Sequence, residues 1–192
     1  YNTITYLWER GERLEAVLEE AQKGLDFNVR THNAHGIGLV TPHHQVIQAL
    51  LSEEGAVVRL GVDGFDEERF TRDNAQNAMG LCFFYTYKTQ LAYLCGACEE
   101  AYAFSVKARE LLHYITGFPS TMSGVFYGAL CGCERFGPAD EEWQGVLADL
   151  EQVRQWNRGV PENFRHKRLL LEAEIAAKEG DVAGAIARYS RA

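Results

Sequence analysis

No stretch of this 192-residue chain stays apolar for the roughly 18 residues that a membrane-spanning helix needs, so no bilayer-crossing helix is expected. The first residues lack a basic segment followed by an apolar one, so no secretory signal is expected either. Basic charge is scarce as well: 19 Lys and Arg stand against 27 Asp and Glu, for a formal net charge of −8. A surface for nucleic acid needs clustered cations that displace counterions. The single basic cluster, Arg165-His166-Lys167-Arg168, falls in the first turns of a predicted helix, so nucleic acid is not expected as a partner. The five cysteines are an odd number and fall mostly in predicted helices, which argues against a secreted disulfide framework and for a reduced, cytoplasmic setting.

Catalytic signatures are missing too. There is no nucleophile elbow, phosphate loop or metalloprotease pattern, and Gly36-x-Gly38 lacks the third glycine and the strand–helix context of a dinucleotide site. No enzyme activity, metal or other cofactor is expected of these residues.

What remains is a globular composition, 46% hydrophobic and 24% charged, compatible with one domain or two small ones. A single domain over 1–192 is expected. The opening Tyr1 and a last helix that stops at Ala192 suggest a segment of a longer chain. Leu7, Leu14, Val17, Leu18, Ala21 and Leu25 recur at helical spacing and predict one helix from about Ile4 to Arg30. Thr41-Pro42 reads as a helix start, with one longer helix kinked at Pro42 as the alternative. Residues 54–65 read as a connecting loop, and Asp66–Phe70 as a short helix.

Asn74–Cys95 is unusually aromatic, and a helix apolar on most sides belongs at the centre of a domain. Cys98–Thr116 follows, stopped by Gly117 and Pro119. Gly124, Gly128 and Gly132 share one helical face and predict the close approach of another backbone. Gly137-Pro138 opens a further helix whose inner face is Trp143, Val146, Leu147, Leu150 and Val153.

Two stretches share a pattern. Gly96, Ala101 and Ala108 match Gly180, Ala185 and Ala192: a glycine, an alanine five residues on, and another seven beyond. Repeated helix hairpins with small residues at fixed offsets predict an all-α superhelix of antiparallel hairpins, roughly eight helices in all. The last hairpin, 161–192, is expected to leave an apolar face uncovered and to favour self-association through that end.

Several polar residues have competing readings. Cys95-x-x-Cys98 with Cys131-x-Cys133 suggests zinc, but neighbours on a helix point apart, and small buried thiols are the favoured reading. His35, His43 and His44 read as helix-surface histidines. Lys88, set among aromatics, pairs with an acidic ligand or, as favoured, runs its stem along the core and its ammonium into solvent. Asn163, His166 and Lys167 form a recognition patch, or Asn163 simply caps its helix, the favoured reading.

The string Trp156, Pro161-Glu162-Asn163-Phe164, His166-Lys167, Leu170, Glu172-Ala173-Glu174, Gly180, Ala185, Tyr189 and Ala192 carries a resemblance. So do Phe65-Asp66-Glu67, Phe70, Tyr85, Lys88, Tyr93, Gly96, Ala101 and Phe126-Tyr127 upstream. In its hairpins the chain resembles a degenerate tetratricopeptide (TPR-like) repeat. Over roughly Gln45–Ala192 it looks like the helical region of very large bacterial signalling proteins. In those proteins this region accompanies serine/threonine kinase, AAA-type ATPase, GAF and sensor histidine kinase domains. The usual aromatic-Leu-Gly opening of the repeat is absent, and Cys95 and Cys98 stand where polar residues are more usual.

The resemblance implies a non-catalytic interaction or sensor module of signal transduction, offering a concave face to a protein, a peptide, an effector or another domain of the same chain. Phe83, Thr86, Gln90, Lys167, Glu174 and Lys178, off the core stripe on the first helix of each hairpin, are the candidate groove residues. A rigid spacer between an ATPase module and a kinase is the alternative, and a small enzyme with a site in the aromatic core is the third reading.

Overall fold

A computed structural model describes residues 1–52, 58–61 and 64–192; part of the loop expected over 54–65 therefore lies outside the described residues. The protein is all-α. Among the described residues there are ten α-helices, against the roughly eight expected: α1 (Asn2–Glu9), α2 (Leu14–Arg30), α3 (Ala34–Leu51), α4 (Glu67–Asp73), α5 (Ala78–Leu94), α6 (Cys98–Leu111), α7 (Pro119–Arg135), α8 (Trp143–Gly159), α9 (Pro161–Lys178) and α10 (Val182–Tyr189). A 3-10 turn, Leu112–Ile115, extends α6, and Gly117, whose φ is +90°, follows it. The chain divides into two compact units, Tyr1–Gly124 and Val125–Ala192, with the boundary inside α7.

One extra helix arises at Gly11. Its φ of +70° stops α1, and the Glu12 amide returns to the Leu7 carbonyl in the reverse-bonded cap that a left-handed glycine permits. The periodicity across 4–30 continues through this break and so conceals it.

Three hairpins share one turn. The linkers Thr31-His32-Asn33, Cys95-Gly96-Ala97 and Glu179-Gly180-Asp181 each hold the middle residue at positive φ, +51°, +73° and +84°. In each, the third residue's amide bonds a carbonyl five residues back: Asn33 to Asn28, Ala97 to Ala92, Asp181 to Ala176. Two copies carry the glycine that marks the turn; in the first, His32 takes the left-handed conformation at a cost of about 1 kcal/mol. Asn33, Asn77 and Asp181 then cap α3, α5 and α10 by accepting the amides of Gly36, Gly80 and Gly184 at 3.0, 3.1 and 2.9 Å.

α3 therefore starts at Asn33 and not at Thr41. Pro42 lies inside it, and the Thr41 hydroxyl bonds the Ile37 carbonyl at 2.8 Å. Gly36 and Gly38, which weaken the isolated helix, are buried because neighbours crowd them. A Cβ on Gly38 would stand 2.2 Å from Asn74 Oδ1 and 2.5 Å from Asn77 Nδ2, and one on Gly80 would stand 3.0 Å from the Gly38 carbonyl oxygen. α3 and α5 thus meet almost backbone to backbone. On helix propensity alone Gly→Ala gains about 1 kcal/mol. Gly145 in α8, with nothing within 4 Å of its Cβ position, should show that gain. Gly38→Ala should instead lose about 1–3 kcal/mol through overpacking. Urea unfolding of the two variants tests this opposition of sign.

In the first unit α2 packs on α3, α3 on α5, and α5 on α6; in the second α8 packs on α9 and α9 on α10. Val17, Ala21, Ile4, Val40 and Ile47 form one core cluster, and Phe83, Phe84, Tyr87, Leu91, Phe70 and Ile115 are central to the other. In the second unit Trp143 is 2% exposed, and the Trp156 and Phe164 rings meet at 5.7 Å across the α8–α9 turn.

Three local expectations are corrected. Gly137–Glu142 forms turns, with the Gly137 amide on Asp140 Oδ2 at 2.8 Å, and α8 begins only at Trp143. Gly124 and Gly132 leave room for side chains, not a backbone: Cβ atoms there would meet Leu112 Cδ2 at 2.7 Å and Val146 Cγ2 at 2.6 Å. Asn163 does not cap α9; Val160 holds that position without a side-chain bond, and Pro161 begins the helix. Among the described residues no helix is long and apolar enough to cross a membrane.

Candidate functional site

α5 is the central helix of the first unit, as its aromatic composition suggested, and this alters the standing of its residues. Phe83 and Thr86 are fully buried and Gln90 is 8% exposed. Phe83 stacks on Tyr1 with ring centroids 4.4 Å apart, and Gln90 Oε1 accepts the Trp8 indole N–H at 3.2 Å. These three candidate groove residues are interior groups of the first unit and present no surface to a partner.

Around them lies a polar cluster that the sequence did not single out. The hydroxyls of Tyr1, Tyr87 and Ser120 form a triangle with edges of 3.3, 3.0 and 2.6 Å. Burial pushes the Tyr87 phenol well above its usual range, so it stays a neutral donor. Ser123 bonds the Glu9 carboxylate beside this cluster.

His43 sits against the same ring, its centroid 3.7 Å from that of Tyr87, with Trp8 and Tyr1 at 6.3 and 5.4 Å. It is 1% exposed, and both ring nitrogens are buried without a hydrogen-bond partner. Burial drives its pKa down to about 3. His44 is buried as well, with Nε2 2.8 Å from Gln22 Oε1. The surface reading of His43 and His44 is therefore overturned. Extending the helix back to Asn33 places Val40, His43, His44 and Ile47 on its inner face, a signal that the Thr41 start obscured.

Lys88 is the second correction. It is 1% exposed and does not reach solvent. Its Nζ bonds Glu67 Oε1 at 2.6 Å and the Val58 carbonyl, and lies 4.8 Å from the Phe104 ring centroid. Glu67 Oε1 also accepts the Leu60 amide at 2.6 Å. Burial lowers the Lys88 pKa, opposed by the bond and charge of Glu67. One ion pair thus ties α4 and residues 58–60 to α5.

Clefts also open in the first unit, and Tyr1 of the polar cluster lines one of them. One of about 540 Å³, between α3 and α4, is lined by Ile37, Gly38, Phe65, Arg69, Phe70 and Asp73 among others. Its charged pair, Arg69 and Asp73, is exposed and mutually engaged at 3.4 Å. Another of about 420 Å³, along α2 and α3, is lined in part by Lys23, Phe27, Asn28 and His35. Tyr87, His43 and Ser120 open onto neither.

The other three candidate residues belong to the second unit and do come together. Lys167, Glu174 and Lys178, spaced seven and four apart, share one face of α9. That face runs along the later turns of α7. Lys167 lies 5.6 Å from the Phe126 ring centroid, and Lys178 donates to the Glu134 carbonyl at 3.1 Å. Glu174 bonds the Tyr189 side chain and, with Lys178, acts electrostatically on buried Cys133. Lys167 and Glu174 are half-buried and Lys178 is exposed. The row is a charged seam whose outer edge faces water.

Chemical reactivity is low at the buried thiols. Burial pushes Cys82 and Cys133 up to about 12, so neither is a thiolate near neutral pH. All five cysteines are free thiols, and among the described residues no group of three or more His, Cys, Asp or Glu could hold a metal ion. No protein-family model, curated protein or solved structure matches the chain.

Proposed function

We propose that the chain is a non-catalytic helical-repeat module of a bacterial signal-transduction protein, which presents its helices to a protein or peptide partner in the cytoplasm. The observation that carries this reading is the recurrent hairpin. The same left-handed turn and return bond occur at His32, Gly96 and Gly180, and each of these hairpins packs its two helices directly on one another. Stacked hairpins of this kind provide extended surfaces in place of a pocket around a reactive group. Two groups of buried polar side chains fit that role, because Tyr1, Tyr87 and Ser120 bond one another and Lys88 bonds Glu67.

Within the six candidate residues, the contact surface narrows to Lys167, Glu174 and Lys178 on α9, the three with side chains reaching water. Reversing charge at Lys167 and Lys178 together should weaken a partner recovered by affinity capture on the order of tenfold, mainly through slower association at low salt. Titration of the recovered partner against parent and variant, with circular dichroism as the fold control, measures this. Equal affinity removes the α9 row from the interface.

A further inference from the structure

We propose that α1 is a hinged lid over the polar core of the first unit, and that acid opens it by protonating His43 beneath. Polar side chains latch the lid. The Tyr1 hydroxyl lies 3.3 Å from that of Tyr87 and 3.0 Å from Ser120 Oγ. The Trp8 indole donates to Gln90 Oε1 at 3.2 Å, and Ser123 donates to Glu9. Apolar anchoring is slight by comparison, since Ile4 is the one hydrophobic residue of α1 that is fully buried. Gly11 supplies the hinge. Its φ is +70°, and nothing beyond its chain neighbours stands within 4 Å of its Cβ position. The ion pairs beside it, Arg10 with Glu12 and Arg13 with Glu15, are local and exposed. An element with so little buried apolar surface opens at less cost than the whole unit.

The groups under the lid give the opening its sign. Tyr1 and Trp8 form two walls of the aromatic cage around His43, and Tyr87 of α5 forms a third. Neither ring nitrogen has a hydrogen-bond partner in this closed state. From α1 the titratable groups on this side are the Tyr1 phenol and amino group, with Glu9 engaged by Ser123 and acting on Tyr87. From α5 they are the Tyr87 phenol and the Cys82 thiol, which acts on Tyr1. α7 contributes the Ser120 hydroxyl. α2 adds apolar Val17 and Ala21 to the adjoining core and bonds His44 through Gln22. Burial, and secondarily the positive amino group at Tyr1, lower the His43 pKa. Both act through the α1 side of the cage, so lifting α1 returns the imidazole to water and to its ordinary affinity for a proton. The proton bound there opposes closure.

This device goes beyond the partner surface on α9. It lies in the first unit, so the charge reversals at Lys167 and Lys178 succeed or fail independently of it.

Hydrogen exchange of the 192-residue chain tests it, read by mass spectrometry on peptides from α1 and α6 and corrected for the intrinsic pH dependence of amide exchange. At pH 7 α1 should already be less protected than α6. From pH 7 to pH 5 its protection should fall about 25-fold, as set by an open-state imidazole of ordinary pKa. His43→Leu should abolish that pH dependence. Tyr1→Phe deletes the hydroxyl bonds and should lower protection of α1 about fivefold at both pH values, leaving α6 unchanged. Equal protection of α1 and α6 at pH 7 overturns the proposal, because α1 then opens only with the whole unit. So does a protection of α1 that is constant with pH, or a fall that persists in His43→Leu. Where His43→Leu disturbs the fold by circular dichroism, the parent chain and Tyr1→Phe decide: equal losses at α1 and α6 in Tyr1→Phe also overturn it.

Discussion

Lowering the pH from 7 to 5 should remove about 2 kcal/mol of stability through His43 alone. The folded protein holds this imidazole neutral, with a pKa of about 3 against 6.5 for the free side chain. Between those values the unfolded chain binds a proton that the folded chain refuses. Stability is therefore complete above pH 6.5, falls as pH drops below it, and levels off only near pH 3. The full difference amounts to about 5 kcal/mol. The cause is local: Tyr87, Trp8 and Tyr1 surround the ring and exclude water, and a protonated ring would find no acceptor for either N–H. His43→Leu removes the titrating group and should flatten the slope of unfolding free energy between pH 6.5 and 5, where most carboxylates are still ionised. The level at pH 7 also shifts, since ring packing changes, so the slope is the measured quantity. An unchanged slope in urea titrations across this range excludes His43 as its source.

The second large effect is expected at Lys88. Lys88→Ala removes the bond to Glu67, the bond to the Val58 carbonyl and the contact with Phe104, and leaves a void in the core. Loss of one member of a buried ion pair costs about 3–5 kcal/mol. The lower end applies here, because the Glu67 side chain is 24% exposed and water partly solvates the stranded carboxylate. Lys88→Met keeps most of the packing and isolates the charge. Adding Glu67→Gln to Lys88→Met should recover part of the loss, since the uncompensated charge disappears while an oxygen stays available to the Leu60 amide. A double-mutant cycle by urea unfolding measures this coupling. Additive losses would mean that Lys88 and Glu67 are not energetically coupled.

Both effects fall where local sequence reading fails. Polar residues on helices are normally read as solvent-facing, and that rule misplaces His43, His44 and Lys88. Each takes its position from a residue distant in the chain: Tyr87 for His43, Gln22 for His44, Glu67 for Lys88. The candidate groove divides on similar grounds. Phe83, Thr86 and Gln90 fall off the core stripe by spacing, but a central helix has no free side and all three are interior. For Lys167, Glu174 and Lys178 the helical spacing correctly puts them on one face, yet spacing says nothing of α7, which Lys167 and Lys178 touch.

The all-α class, the central position of α5, the hairpins around Gly96 and Gly180 and the inward stripe of α8 are written in the chain, because helical periodicity and a left-handed glycine are properties of a few consecutive residues. The hidden break at Gly11, the third turn built on His32, and the close crossing at Gly38 and Gly80 were decided only by the folded structure. So were the burial of an unpartnered imidazole and of an ion-paired lysine. The reason is physical. Local conformation depends on neighbours along the chain, whereas burial and electrostatic pairing depend on which remote helix arrives to exclude the water.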